Sequence, residues 1–133
     1  MKPLVTILVA AICIGACSRS ESPPPAPTKA STSKDPAAAR RLVAGGAVVI
    51  DVRTAEEYAE AHLPQAINIP VQDLPNRVLE VDKLVAGDKA RPIVVYCAAG
   101  SRAAKAKSTL DSAGYSTVVN GGGLDDLRDG DPP

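Results

Sequence analysis

From residue 35 onward, short runs of β-branched and aliphatic residues alternate with stretches whose apolar positions recur every three or four residues. The first pattern predicts buried strands and the second predicts helices with one apolar face. Asp35 is a good N-cap, Pro36 suits a first helical turn and Gly45-Gly46 stops the segment. Ala47 to Arg53 (Ala-Val-Val-Ile-Asp-Val-Arg) reads as a buried strand ending in charge. Thr54, with Glu57 three residues on, forms the capping box of a short helix. After a turn at His62-Leu63-Pro64, Ala66-Ile67-Asn68-Ile69-Pro70 reads as a second strand, and Leu74, Val78, Val81 and Leu84 mark helical spacing over 74–84, broken by Pro75 near its start. Pro92-Ile93-Val94-Val95-Tyr96 is the next strand, and Ala103, Ala106, Leu110 and Ala113 carry a helix up to Gly114. Ser116 to Asn120 is expected to be the last strand, with Gly121-Gly122-Gly123 opening a final short helix through Leu124 and Leu127. Such alternation predicts an α/β sandwich around a mostly parallel sheet, in which ligands bind beyond the carboxyl ends of strands.

Cys97-Ala98-Ala99-Gly100-Ser101-Arg102 occupies one of those strand ends and turns directly into a helix. Backbone N–H groups and the positive end of a helix dipole converge there, which lowers the pKa of a thiol. Small residues at 98 to 100 let the chain curl around the sulfur, and Gly100 can adopt a positive φ. The alternative is an inert, buried structural cysteine, since free Cys is among the most buried residue types.

Composition narrows the field. The 133 residues suit one domain, and 15 basic against 15 acidic residues give no net charge. With no basic cluster interleaved with aromatics, nucleic acid is not an expected partner. Three tyrosines and no Phe or Trp imply an aliphatic core. His62 is the only histidine and no Cys-x-x-Cys pair exists, so no metal and no cofactor is expected.

Residues 1–16 read as an export signal: Lys2 is followed by an apolar run from Leu4 to Ile14, too short to span a bilayer. Ile14-Gly15-Ala16-Cys17 resembles the bacterial lipobox, whose Cys is diacylated; a plain secretory signal is the alternative. Each buried CH₂ of an acyl chain contributes about 0.8 kcal/mol, so a lipidated Cys17 would be the one attachment to a membrane. Ser18 in place of Asp suggests sorting to the outer membrane of a Gram-negative cell, on its periplasmic side. Residues 17–34, with Pro23-Pro24-Pro25-Ala26-Pro27, form an extended linker that can reach about 50 Å, and 35–133 form the folded domain. Once Cys13 leaves with the signal and Cys17 is acylated, Cys97 is the one remaining thiol. No internal disulfide can then trap it.

Asp51-Val52-Arg53-Thr54 with Glu57-Tyr58, His62-Leu63-Pro64 and Ala66 to Pro70 together resemble the first signature of the rhodanese family. Val94-Val95-Tyr96-Cys97 with Gly100-x-Arg102 resembles its active-site loop, and Gly114-Tyr115 through the glycines at 121–123 resembles its closing segment. Ala61 and Gln65 stand where that family usually has glycine, and Leu127 stands where an aromatic is common. The resemblance implies a three-layer α/β/α domain, monomeric, working as a thiosulfate-type sulfurtransferase. In that scheme Cys97 takes a sulfane sulfur from thiosulfate, a polysulfide or a persulfide, and passes it to cyanide or a thiol. Small sulfur-containing anions and thiol acceptors are then the partners.

The loop residues Ala98, Ala99, Gly100, Ser101 and Arg102 would bind substrate, while Asp51, Arg53 and His62 would support the fold. Arg102 could face the donor's oxygens or brace Asp51. Lys105 and Lys107 could flank the pocket mouth or form a solvated face. Two other readings compete. Phosphatases and arsenate reductases of the same superfamily place five residues between Cys and Arg, against four here. A non-catalytic binding or sulfur-carrier module at the envelope is the third.

Overall fold

A computed structural model describes residues 32–128; the expected signal, lipobox and most of the linker lie outside the described residues. The chain runs α1 (Pro36–Ala44), β1 (Val48–Asp51), α2 (Ala55–Glu60), β2 (Ala66–Asn68), a single 3₁₀ turn (Leu74–Asn76), α3 (Val78–Leu84), β3 (Ile93–Cys97), α4 (Ser101–Ser112), β4 (Val118–Gly123) and α5 (Leu124–Arg128). Local chemistry sets these limits. Asp35 accepts from the Ala38 N–H to cap α1, and Thr54 and Glu57 form the reciprocal box that opens α2.

The four strands form one parallel sheet in the order β2-β1-β3-β4, with Ile50 beside Val95 and Val95 beside Asn120. Alternation along the central strands separates two apolar layers. Ile93, Val95 and Cys97 point with Ile50 towards Leu74, Val81, Ala103, Ala106 and Leu110, under α3 and α4. Val49 and Tyr96 face the opposite way with Leu63, Leu124, Tyr58 and Val43, under α1, α2 and α5. The domain is therefore the expected three-layer α/β/α sandwich.

The break near Pro75 falls as expected, with a 3₁₀ turn ahead of α3. Three details depart from the sequence expectations. The glycines at 121–123 do not open α5; they are the end of β4, and Gly123 pairs with Cys97 across a β-bulge. The core is not purely aliphatic, because Tyr96 and Tyr115 are the largest fully buried side chains. Each has a polar outlet: the Tyr96 hydroxyl accepts from the Leu63 N–H, and the Tyr115 hydroxyl donates to Asp82. Last, the linker is docked before it reaches α1. The Thr32 carbonyl accepts from Asn120, and Lys34 pairs with Asp126 at 3.2 Å.

Candidate active site

The buried, β-branched strand β3 delivers Cys97 to the sheet edge, and the chain turns at once into the twelve-residue helix α4. The turn is possible because Gly100, the N-cap of α4, lies at φ +100°, a conformation that side chains disfavour. Its N–H then donates to Cys97 Sγ at 3.0 Å. The N–H groups of Ala103, Ala99 and Arg102 also converge on the sulfur. Burial pushes the Cys97 thiol up, but these four N–H groups outweigh it and hold the pKa below that of an ordinary thiol. Among the described residues Cys97 is the only cysteine.

The loop rests on a floor of glycine. A Cβ on Gly123 would collide with the Ala98 carbonyl, so no other residue lets the loop lie this close to β4. Asn120, 3 % exposed, ties the floor to the loop. Its side-chain N–H₂ donates to the Gly100 carbonyl at 2.9 Å and to the Thr32 carbonyl at 3.0 Å, while its oxygen accepts from the Gly122 N–H. The sequence assigns Asn120 no role, and it marks Gly123 only as part of the family's closing segment. Asn120 reads as a strand residue, and the glycine run reads as a helix start.

Arg102 corrects an expectation. It does not brace Asp51; it forms a two-armed ion pair with Glu57, Nη1 to Oε2 at 2.6 Å and Nη2 to Oε1 at 2.8 Å. Glu57 raises the Arg102 pKa, with the nearby Cys97 adding to the effect. In return, the Arg102 guanidinium and then the Thr54 N–H hold Glu57 at about 2. The sequence offered two signals for Glu57, the capping box and the Glu57-Tyr58 of the family signature, and neither reveals its contact 45 positions away.

Asp51 is fully buried and takes Arg53 instead, with Arg53 Nη2 at 2.6 Å and Nε at 3.0 Å. Arg53 also donates to the Ala61 carbonyl, and Asn68 donates to the Asp51 and Arg53 carbonyls. His62 lies stacked on Tyr58, ring centroids 3.8 Å apart, with Nδ1 2.7 Å from the Tyr58 carbonyl oxygen. Ala61, in a place where glycine is usual, is extended at φ −165°, which any residue can adopt. Leu127 packs against Gly121. Lys107 is not on a solvated face: it is buried and paired with Asp111 one turn on, at 2.9 Å. Lys105 is exposed. No cluster of His, Cys, Asp and Glu able to hold a metal occurs among the described residues.

Comparison with known proteins agrees with this geometry. Residues 35–128 match the rhodanese-like domain. The chain is similar to the thiosulfate sulfurtransferase PspE of Escherichia coli, 40% identical over 59% of this chain and 71% of that protein. It is also similar to the thiosulfate:glutathione sulfurtransferase of Saccharomyces cerevisiae, at 35% identity over 53% of this chain and 56% of that protein. Among solved structures, a rhodanese with anions from E. coli superposes with a TM-score of 0.55 at 40% identity, covering 61% of this chain and 91% of that one. The human single-domain sulfurtransferase TSTD1 gives 0.57 at 27% identity, covering 80% and 99%.

Proposed function

The chain belongs to the rhodanese-like family and is a sulfurtransferase, and on that premise we propose that it moves a sulfane sulfur from thiosulfate, a polysulfide or a persulfide to a thiophilic acceptor through a persulfide on Cys97. The Cys97 thiolate attacks the outer sulfur of the donor. A sulfur–sulfur bond forms to Cys97, the donor's own bond to that sulfur breaks, and its electron pair leaves with sulfite when the donor is thiosulfate. Cyanide or a thiolate then attacks the outer sulfur of the persulfide and regenerates the Cys97 thiolate. The observation that supports this reading is the convergence of backbone N–H groups on Sγ, led by Gly100 at 3.0 Å. Such a cradle stabilises a thiolate and then a persulfide anion without a general base.

The test is a steady-state assay of thiocyanate formation from thiosulfate and cyanide. Double-reciprocal plots are expected to be parallel, and Cys97→Ser is expected to lose the activity entirely. Equal activity in Cys97→Ser would dismiss the mechanism. With four residues between Cys97 and Arg102, the ring is sized for a sulfur atom, so aryl phosphate hydrolysis by the native loop is expected to be negligible.

The same proposal extends to the amino terminus. Cleavage before Cys17 and its acylation would hold a monomeric domain on the periplasmic side of the outer membrane, on a Pro-rich tether. Cells making the native sequence are expected to yield an acylated, detergent-partitioning protein. A soluble, unmodified form would rule the anchor out.

A further inference from the structure

The cations that border the Cys97 loop are each matched by an acid. Arg102 is held by Glu57, Arg53 by Asp51 and Lys34 by Asp126. Of these, the Arg102 pair is the one that acts on the sulfur. Its two side chains are about one-third exposed, at 32% and 33%, and Arg102 interacts directly with Cys97. Both terminal nitrogens of Arg102 are engaged by the Glu57 carboxylate, the geometry a guanidinium uses for any planar oxyanion. A donor oxyanion approaching Cys97 therefore meets a cation whose fork is occupied and whose charge is cancelled.

We propose that Glu57 sets the charge of the sulfur donor this site accepts, acting as an internal competitor for Arg102 and favouring monoanionic sulfane donors over the dianion thiosulfate. This rests on the sulfur-transfer reading above and adds the class of donor to it. What remains to attract an anion is the set of loop N–H groups and the amino end of α4, which suit a single charge. The other charged groups around the loop do not change in this argument: Arg53 stays with Asp51, Lys34 stays with Asp126, and Lys105 stays in solvent three residues beyond Arg102.

Methanethiosulfonate and thiosulfate form a matched pair of probes. They share the outer sulfur and the leaving sulfur–oxygen group, and differ by a methyl in place of one charged oxygen. With either, Cys97 bonds to the outer sulfur and the electron pair leaves on the sulfinate or the sulfite. The variant is Glu57→Gln, which removes the charge while glutamine can still complete the capping box with Thr54. Freeing Arg102 is expected to raise kcat/KM for thiosulfate about fivefold, mainly through KM, and for methanethiosulfonate about half as much. The gain is expected to shrink with added salt, as a charge effect must.

A second readout needs no turnover. The rate of Cys97 alkylation by iodoacetamide against pH is expected to shift to lower pH in Glu57→Gln, because a thiolate beside an uncompensated guanidinium ionises more easily. If alkylation shifts but neither donor is turned over, the sulfur-transfer reading fails while the charge coupling stands. If kcat/KM for thiosulfate falls, or both donors change equally with no shift in the alkylation profile, Glu57 merely positions Arg102 and the proposal is overturned.

Discussion

The ends of β1 and β3 are neighbours in the sheet, Asp51 beside Tyr96, and they handle charge in opposite ways. At the end of β1 a fully buried carboxylate is matched by the Arg53 guanidinium, and the remaining donors and acceptors are taken up by Ala61 and Asn68. Nothing there is left to meet a substrate. At the end of β3 the Cys97 sulfur faces backbone N–H groups contributed by alanines, a glycine and Arg102. A buried ion pair spends its Coulomb energy on repaying desolvation and so makes a brace. A ring of fixed N–H dipoles has no counter-charge of its own and is stabilised by a bound anion. The Asp51–Arg53 charges thus hold the scaffold, while the cradle around Cys97 is made of plain residues with the Glu57–Arg102 pair beside it.

The contrast is broken most severely at the brace. Asp51→Ala leaves Arg53 buried without its carboxylate, and breaking such a pair costs about 3–5 kcal/mol. The denaturation midpoint is expected to collapse while transfer per folded molecule persists; a small loss would mean that Arg53 finds water. Next is the floor of the loop. Gly123→Ala forces the Ala98 carbonyl away from β4, at a strain cost of about 1–3 kcal/mol. Here activity is expected to fall more than stability does, because the N–H cradle is displaced.

Asn120→Ala removes the donor to the Gly100 carbonyl and is expected to cost about 1–3 kcal/mol. It should also move Cys97 alkylation to higher pH as the Gly100 N–H loosens; an unchanged profile would separate Asn120 from the sulfur. The mildest effect concerns the Glu57–Arg102 pair. Glu57 falls from an ordinary 4.5 to about 2 in the fold, so its stabilising contribution is complete above 4.5 and is lost as pH falls through about 2. Wild type and Glu57→Gln are expected to converge in thermal midpoint over that range. A gap that persists at the acid end would point to a cause other than the carboxylate's charge.

The scaffold was largely legible because its determinants are local. Asp35, the Thr54–Glu57 box and the β-branched runs each act within a few residues of themselves. The Cys97 turn was legible for the same reason, since strand, small residues and helix are contiguous. What escaped is what the fold brings together from afar. Glu57 meets Arg102 across 45 positions and Asn120 meets Gly100 across 20, and neither leaves a trace in spacing. The role of Gly123 escaped because its reason is the Ala98 backbone lying on it, a contact without side-chain chemistry. Lys107 was misplaced although its i+4 acid, Asp111, was in plain view: a paired lysine can bury its stem beside a sheet.

The central claim is that the backbone cradle makes Cys97 a sulfur carrier, and an intact-mass measurement of the purified domain tests it most directly. After incubation with thiosulfate and removal of the donor, the wild-type mass is expected to rise by one sulfur atom located on Cys97. Cyanide is then expected to restore the original mass and release thiocyanate, and Cys97→Ser is expected to show neither change. A wild-type domain that gains no sulfur from thiosulfate, a polysulfide or a persulfide, and whose Cys97 alkylates like an ordinary thiol, would contradict the account.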